Sequence, residues 1–252
     1  MPFEAFQHSV SDRVADLNHQ YRHHAAIPTL SYALNDPLIG RVAMVSSFGA
    51  ESVVLLHMIS IIDRTTPVLF IDTNMLFPET LEYQIQVADY LGLTDVRRIR
   101  ANADDISRVD PFGRLHLADT NSCCALRKSA PLQNALGNFD AWITGRKRFQ
   151  AGTRQELDLF EAEDNTRIKI NPLAHWRRED LQEYIINNRL PRHPLVAQGY
   201  PSIGCAPTIC TRKVTDGEDP RAGRWAGADK TECGIHFGVN GAKRTNTKDT
   251  AS

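Results

Sequence analysis

Five cysteines have a spacing that predicts metal or redox chemistry. Cys123 and Cys124 are adjacent, Cys205 and Cys210 form a second pair, and Cys233 lies alone near the C-terminus. In a reducing compartment, clustered thiols are more often metal ligands or redox groups than structural disulfides. Four thiolates are the ligand set of an iron–sulfur centre, which leaves the fifth as a nucleophile. The alternative is five separate core thiols, because free cysteine packs as a small apolar side chain.

The adjacent cysteines stand beside two cations, Arg127 and Lys128. We expect a helix that begins at the cysteine pair. Neighbouring helical side chains point about 100° apart, so two adjacent ligands suit a cluster with several irons better than one tetrahedral zinc. Lys128 follows Cys124 by four residues and shares its helical face. A cation at this position would offset the negative charge of a cluster.

A short Ser/Gly-rich segment, 47–52, lies between a predicted strand and a predicted helix. Backbone N–H groups and the helix dipole form an anion site at such a junction, and serine hydroxyls donate to phosphate oxygens. The alternative is an ordinary turn that caps the helix. Asp72 and Thr73 follow the second predicted strand, at the same edge of the sheet, where open α/β folds bind ligands.

A basic segment, 145–154, follows another predicted strand and carries four cations within nine residues: Arg146, Lys147, Arg148 and Arg154. The planar fork of arginine suits phosphate and sulfate, so this segment is a candidate oxyanion clamp. The alternative is a solvated run of charges.

Cys233 has His236 three residues further on, and Arg221, Arg224 and Lys230 lie upstream. Nearby cations favour the thiolate, which is the reactive form of cysteine. The alternative for a lone cysteine near the end of a chain is an inert exposed thiol.

Strands and helices alternate along most of the chain, which predicts a layered α/β fold with a parallel sheet. The predicted strands cover 41–47, 68–71, 96–100 and 141–144, and the predicted helices cover 51–62, 78–90 and 178–188. From residue 171 onward, prolines and glycines crowd a long loop. We therefore expect an N-terminal helical segment, 1–40, a main domain, 41–212, and a flexible C-terminal tail, 213–252, that carries Cys233.

The composition of the 252 residues is that of an ordinary globular protein. A net charge of −1 argues against general nucleic-acid binding, which normally needs a basic excess. The first 24 residues lack the apolar core of a secretory signal, and no run reaches the roughly 18 apolar residues that a membrane span needs. The expected compartment is the cytoplasm.

Seven sequence blocks occur in one order between about residues 40 and 238: SSFGAES, FIDTNMLFPETLEY, CCALRK, ITGRKRFQAGTR, NPLAHW, GYPSIGC and ECGIHFG. In these blocks the chain resembles the assimilatory adenylyl-sulfate and phosphoadenylyl-sulfate reductases, relatives of the PP-loop ATP pyrophosphatases. The resemblance implies the adenine-nucleotide alpha-hydrolase-like fold.

The resemblance also implies roles for individual residues. Cys123, Cys124, Cys205 and Cys210 would bind one [4Fe–4S] cluster, and Cys233, Lys128 and His236 would be catalytic. The implied substrate-binding residues are Ser46, Ser47, Phe48, Gly49, Glu51, Ser52, Asp72, Thr73, Arg146, Arg148, Gln150, Arg154, Arg221 and Arg224.

The implied reaction begins with attack of the Cys233 thiolate on adenylyl sulfate, which leaves an enzyme S-sulfocysteine. Thioredoxin, or glutaredoxin, would then release sulfite. The paired cysteines favour adenylyl sulfate, because most phosphoadenylyl-sulfate reductases lack them. The alternatives are the phosphorylated substrate, an ATP-using PP-loop enzyme of sulfur transfer, or a zinc-binding interaction module. The oligomeric state is open, and a homo-oligomer is compatible with the sequence.

The second cysteine pair departs from the family pattern. The family has Cys-x-x-Cys followed by Thr-Arg, whereas four residues separate Cys205 from Cys210 here. Flexible loops tolerate short insertions at small entropic cost, so we expect both thiols to remain cluster ligands.

Overall fold

The computed structural model describes residues 9–215 and 217–224. The residues predicted to be catalytic in the C-terminal tail, Cys233 and His236, lie outside the described residues.

A six-stranded sheet forms the centre of the described molecule, in the order β3-β2-β1-β4-β6-β5. All neighbouring strands pair in parallel except β5, which runs antiparallel to β6. The strands are β1 (Val42–Ser46), β2 (Val68–Ile71), β3 (Val96–Ile99), β4 (Ala141–Ile143), β5 (Phe160–Glu163) and β6 (Arg167–Ile170). The predicted α/β class with a largely parallel sheet is confirmed.

Nine α-helices connect and flank these strands in the described ranges. They are α1 (Val10–Tyr21), α2 (Ala26–Asn35), α3 (Ser52–Ile62), α4 (Pro78–Leu91), α5 (Ala103–Val109), α6 (Leu115–Ala118), α7 (Thr120–Cys124), α8 (Ala130–Leu136) and α9 (Arg178–Asn187). A π-helical segment, Ala125–Ser129, joins α7 to α8. Within the described ranges, no helix has the length and apolar character that crossing a bilayer requires.

Local sequence explains the ends of several elements. Helix α4 begins at Pro78, whose fixed φ and missing N–H suit the first helical position. It ends at Gly92, which adopts a left-handed conformation with φ of 65°. Strands β1 and β2 are buried along their whole length. This burial matches their nearly continuous apolar sequence, which is typical of a parallel strand covered on both faces.

The two faces of the sheet carry separate apolar clusters. On β1, Val42 and Met44 belong to a large cluster with residues of α1–α4 and α9, whereas Ala43 and Val45 belong to a smaller cluster with α8. Successive residues of a strand point to opposite faces, so this alternation places helices on both sides of the sheet. The carboxyl ends of the parallel strands remain at one open edge.

Candidate active site

A deep cleft lies at the carboxyl edge of the sheet, with an empty volume of about 1590 Å³ that includes space open to solvent. The segment 47–52 forms one side of it and the segment 145–154 forms another. These segments follow β1 and β4, which are neighbours in the sheet. Because parallel strands end at the same edge, the topology brings together two anion-binding candidates that are about 100 residues apart in the sequence.

Most of the predicted substrate-binding residues line this cleft. They are Ser46, Ser47, Gly49, Glu51, Ser52, Thr73, Arg146, Gln150, Arg154, Arg221 and Arg224. The remaining three, Phe48, Asp72 and Arg148, are placed elsewhere.

The side chains of Phe48 and Arg148 contact residues outside the cleft. Phe48 is fully buried and packs edge-on against Phe70, with ring centroids 5.2 Å apart. The Arg148 Nε atom donates to the carbonyl oxygen of Leu157 at 2.8 Å. The Nη2 atom of the same side chain lies 3.9 Å from Oδ1 of Asp158. Phe48 therefore anchors the segment 47–52 to the core, and Arg148 braces its own loop.

Asp72 is committed to two arginines of strand β3 and the loop after it. Its Oδ2 atom accepts from Nε of Arg98 and from Nε of Arg100, each at 2.7 Å. Burial by itself raises the pKa of this carboxyl, but the hydrogen bonds from Arg100 and from the Asn74 backbone, with the charge of Arg98, bring it below its usual value. Asp72 is thus an ionised anchor for this corner of the sheet.

An ion pair with a buried lysine connects the two segments that form the sides of the cleft. The Nζ atom of Lys147 lies 2.6 Å from Oε2 of Glu51, and Nε2 of Gln150 donates to the same oxygen at 3.2 Å. Burial lowers the pKa of Lys147, and the carboxylate of Glu51 opposes that effect. Lys147 lines the cleft and was missed as a site residue, although it stands inside the predicted basic segment.

The arginines of the basic segment are held by acceptors of neighbouring elements. Arg146 pairs with Glu161 of β5, and its Nη2 atom donates to Oδ1 of Asn171 at 3.1 Å. Arg154 donates to Oε1 of Gln150. These side chains are therefore positioned before any ligand binds, which reduces the ordering cost of binding an anion.

The four predicted cluster ligands line one small cavity beside the cleft. Cys123, Cys124, Cys205 and Cys210 are all buried, and no disulfide joins any two of these four cysteines. The other lining residues are Thr73, Met75, Thr120, Arg127, Lys128 and Arg224. Thiols that are about 80 residues apart in the chain therefore meet at one place.

The helical segment that carries Cys123 and Cys124 begins earlier than predicted. Helix α7 starts at Thr120 because the carboxylate of Asp119 caps it, accepting from two backbone N–H groups. The sequence predicted that the cysteines would begin a helix, whereas they lie at the end of α7. The π-helical segment follows at once and carries Arg127 and Lys128. Such wide turns within helices are frequent at functional sites.

The two additional residues between Cys205 and Cys210 form an outward turn. Cys205 pairs with Leu76 in an antiparallel bridge, and the backbone N–H of Cys210 donates to the carbonyl oxygen of Pro207 at 2.7 Å. Thr208, at the tip of this turn, is exposed. The insertion is therefore absorbed toward solvent, and both thiols still face the cavity.

The thiols of this cavity interact electrostatically. A hydrogen bond from Cys210 lowers the pKa of Cys205 well below its usual value, with help from Lys128 and from Thr73, whose Oγ1 lies 3.3 Å from the Cys205 sulfur. The same hydrogen bond and burial raise the pKa of Cys210. Burial and the proximity of Cys205 raise the pKa of Cys123. One member of the group is thus stabilised as a thiolate.

The distances between the four thiols decide whether they suit a single metal ion or a larger iron–sulfur cluster. In the residues that the structure describes, no three His, Cys, Asp or Glu side chains converge closely enough to hold one metal ion. A [4Fe–4S] cluster is held by four thiolates, so its ligands surround a larger object than one ion. Four thiols around a single cavity fit that donor set, and nearby cations would balance its negative charge.

Three residues line both the cleft and the cysteine cavity: Thr73, Lys128 and Arg224. The helix that carries Lys128 is anchored by its neighbour Arg127, whose buried guanidinium pairs with Asp110 at 2.8 Å and donates to the carbonyl oxygen of Thr73 at 3.1 Å. A lysine is therefore held at the boundary between the thiol cavity and the cleft.

Residues 41–213 match the model of the phosphoadenosine phosphosulfate reductase domain. The match covers well over half of the chain, so the chain belongs to this family, as the motif blocks indicated. Among curated relatives, the adenosine 5′-phosphosulfate reductase of Mesorhizobium japonicum is 48% identical, covering 90% of this chain and 89% of the relative. That of Chelativorans sp. is 47% identical, covering 88% and 90%.

Two relatives with the other substrate name are less similar to this chain than those two adenosine 5′-phosphosulfate reductases are. The phosphoadenosine 5′-phosphosulfate reductase of Gloeobacter violaceus is 37% identical, covering 78% of this chain and 82% of the relative. The crystal structure of the Candida auris phosphoadenylyl-sulfate reductase, a phosphate complex, is 26% identical with a TM-score of 0.65, covering 77% of this chain and 94% of that one. Candida glabrata FMN adenylyltransferase, at 15% identity and a TM-score of 0.52 over 81% of this chain and 77% of its own, shares the fold.

Proposed function

We propose that this protein reduces adenosine 5′-phosphosulfate to sulfite and AMP during sulfate assimilation in the cytoplasm. The observation that carries the proposal is the position of Lys128, which lines both the four-thiol cavity and the anion-binding cleft. Family membership and two relatives of 48% and 47% identity that bear the name adenosine 5′-phosphosulfate reductase support it.

In this proposal the segment 47–52 receives the nucleotide phosphate at the beginning of helix α3, where backbone N–H groups favour anions. Cations on the other walls of the cleft, Lys128, Arg154, Arg221 and Arg224, surround the sulfate. They stabilise charge on the sulfuryl group and on the departing phosphate, as basic residues do in phosphoryl transfer.

The C-terminal tail, 213–252, supplies the nucleophile to this cleft. The Cys233 thiolate attacks the sulfur atom of the substrate, the bond from that sulfur to the bridging oxygen breaks, and AMP leaves with the bonding electrons. The products are AMP and an S-sulfonated Cys233. We assign His236 to the same reacting centre because it follows Cys233 by only three residues.

A dithiol protein such as thioredoxin completes the reaction. One of its thiolates attacks the Cys233 sulfur, and sulfite departs with the electron pair of the broken sulfur–sulfur bond. The second thiol then attacks the mixed disulfide, which restores the Cys233 thiolate and leaves an oxidised partner. Both electrons of the reduction therefore come from thiols.

We further propose that Cys123, Cys124, Cys205 and Cys210 hold one [4Fe–4S] cluster. When bound, the cluster would set the electric field around Lys128 and fix the position of that lysine. An anaerobically purified sample should contain about four iron per chain with acid-labile sulfide. Zinc in place of iron would contradict the assignment and favour an interaction module.

Mass spectrometry of the intact protein tests the first chemical step. Wild-type protein mixed with adenosine 5′-phosphosulfate in the absence of reductant should gain one sulfonate on Cys233. The Cys233→Ser variant should gain none and form no sulfite with thioredoxin present, because a hydroxyl is a far poorer nucleophile than a thiolate. Its iron content should match wild type, and sulfite formation at the wild-type rate would disprove the assignment.

A second candidate substrate is phosphoadenosine 5′-phosphosulfate. The relatives from Gloeobacter violaceus and Candida auris are named as reductases of this compound. Competition between the two compounds, read as the ratio of their kcat/KM values, decides between them. We expect the unphosphorylated compound to be preferred. An ATP-using activity is tested in parallel by pyrophosphate release, which we expect to be absent.

A further inference from the structure

Gly204 lies at the boundary between the cleft and the cysteine cavity, directly before Cys205. A β-carbon at this position would lie 2.5 Å from Nη2 of Arg224 and 2.7 Å from its Cζ. Contacts this short do not occur between real β-carbons and their neighbours. The guanidinium of Arg224 therefore occupies the space that any side chain at position 204 would need.

The backbone of Arg224 is fixed by contacts that do not involve Gly204. Arg224 pairs with Thr211 in an antiparallel bridge, and the backbone N–H of Arg212 donates to the carbonyl oxygen of Gly223 at 2.9 Å. This pairing ties Arg224 to the segment that immediately follows Cys210. The position of its Cα atom is thus set by the cysteine loop.

The end of the Arg224 side chain is set by the loop on the other side. Its Nη1 atom donates to the carbonyl oxygen of Ile203 at 3.0 Å, and the guanidinium lies over the backbone of Gly204. In this position Arg224 lines both cavities, and its charge is one of those that lower the pKa of Cys205. Arg224 therefore faces the anion-binding cleft and the thiol cavity together, as Lys128 does.

We propose that Gly204 is a positioning residue, which lets the Arg224 guanidinium reach the sulfonucleotide beside the cysteine cavity. The proposal rests on the proposed function for the identity of that anion. The three atoms nearest to a methyl group at position 204 all belong to the guanidinium end of a flexible side chain, so we expect the fold to survive and the cation to be displaced. Arg224 then loses its place in the cleft while its backbone pairing remains.

Two other glycines provide contrasts. Gly137 lines neither cavity, and a β-carbon there would lie 3.3 Å from the backbone oxygen of Asn134, so Gly137→Ala is a control of the same chemical change outside the site. A β-carbon on Gly223 would lie 2.4 Å from the backbone oxygen of Arg212, so Gly223→Ala must shift the backbone itself. We expect stability to fall for Gly223→Ala and to remain near wild type for Gly204→Ala.

The test uses the full-length protein, purified without oxygen, and titrations with adenosine 5′-phosphosulfate and, in parallel, with AMP. Gly204→Ala should weaken binding of adenosine 5′-phosphosulfate about 10- to 100-fold, the usual effect of losing one hydrogen bond to a charged group. Iron content and thermal midpoint should stay at wild-type values. Gly137→Ala should bind as wild type does.

A double-mutant cycle separates positioning from general damage. Arg224→Ala should weaken binding as much as Gly204→Ala or more, and the double variant should be no weaker than Arg224→Ala alone, because both changes remove the same contact. In steady-state kinetics Gly204→Ala should raise KM and also lower kcat, because the displaced Arg224 is one of the cations that stabilise charge on the departing group.

Wild-type affinity in Gly204→Ala for both ligands would overturn the proposal, and so would losses that add in the double variant. If the wild-type protein binds AMP but forms no sulfite, the proposed function fails. Titrations of wild type, Gly204→Ala, Arg224→Ala and the double variant with adenosine 5′-phosphosulfate, which need no turnover, then decide the role of Gly204 by themselves.

Discussion

The ion pair of Lys147 with Glu51 joins the two segments that form the walls of the cleft. Its partners differ in burial, since the side chain of Lys147 is 4% exposed and that of Glu51 is 24% exposed. Removing one partner of a buried pair is costly when the remaining charge stays buried. Glu51 is able to reach water after loss of the lysine, whereas Lys147 is not.

We therefore predict an asymmetric effect on stability. Glu51→Gln should lower the free energy of unfolding by about 3–5 kcal/mol, because it leaves a buried, unpaired ammonium. Lys147→Met, which keeps the apolar stem, should cost clearly less. Urea unfolding of both variants measures this difference, with the exposed pair of Asp95 and Arg97 as a control: Asp95→Asn should change stability by less than about 1 kcal/mol. Equal losses for Glu51→Gln and Lys147→Met would contradict the argument.

Lys128 is predicted to act on turnover and not on cluster retention. It lines both cavities, but it supplies no thiolate. Lys128→Met should retain a wild-type iron content and lose about 10²- to 10³-fold in kcat, similar to the loss of one charge-stabilising group in an oxyanion hole. Lys128→Arg should restore part of the activity. Iron analysis and steady-state kinetics on the same samples check this, and a variant that loses its iron would show that Lys128 is structural.

The loop from Cys205 to Cys210 illustrates how an element absorbs an insertion. Because the extra residues form an outward turn with Thr208 exposed, the thiols keep their places at the cavity. Deleting Thr208 and Ile209 should therefore retain or strengthen iron binding, since a shorter loop loses less freedom when it closes on a rigid cluster. Cys210→Ala should lose iron and activity. Iron and sulfide analysis decides the outcome, and a full iron complement in Cys210→Ala would mean that Cys210 is not a ligand.

The elements that the sequence predicted well are those with a strong local signal. Apolar runs located β1 and β2, and Pro78 located the start of α4. The hairpin of β5 and β6 was missed because its charged residues, such as Lys169 and Glu163, are buried only by pairing with each other, which no local pattern reveals. The π-helical segment was missed for a similar reason, since its wide turn depends on the tertiary partners of Arg127.

Motifs also predicted which segments meet at the site better than which side chains face it. The segment 47–52 lines the cleft as expected, but Phe48 turns into the core, where its backbone has a left-handed φ of 47°. Asp72 follows its strand as predicted, but its carboxylate forms ion pairs with Arg98 and Arg100 instead of lining the cleft. Side-chain direction depends on long-range neighbours, and these are not encoded in a short motif.

A buried histidine joins α4 to the loop after α9, and its protonation is expected to link the stability of the described molecule to pH. His193 is 1% exposed, its Nε2 atom lies 3.1 Å from Oγ1 of Thr80, and its Nδ1 atom accepts from the backbone N–H of Leu195 at 3.2 Å. Since Nδ1 accepts, the proton of the neutral ring resides on Nε2 and is donated to Thr80. Burial lowers the pKa of His193 to about 4.

A lowered pKa for a histidine means that the unfolded chain binds a proton at a higher pH than the folded protein does. The unfolded value is about 6.5, so stability is retained above that pH and is lost as the pH falls from about 6.5 toward 4, by up to about 3 kcal/mol. His193→Asn should keep the cap to Leu195, because asparagine is a good capping residue, but it cannot titrate. Urea midpoints between pH 7.5 and 4.5 should fall more steeply in wild type than in His193→Asn, while His57 and His175, whose pKa values burial also lowers, contribute equally to both proteins. Parallel pH profiles for the two proteins would show that the buried imidazole is not the group that links folding to acid.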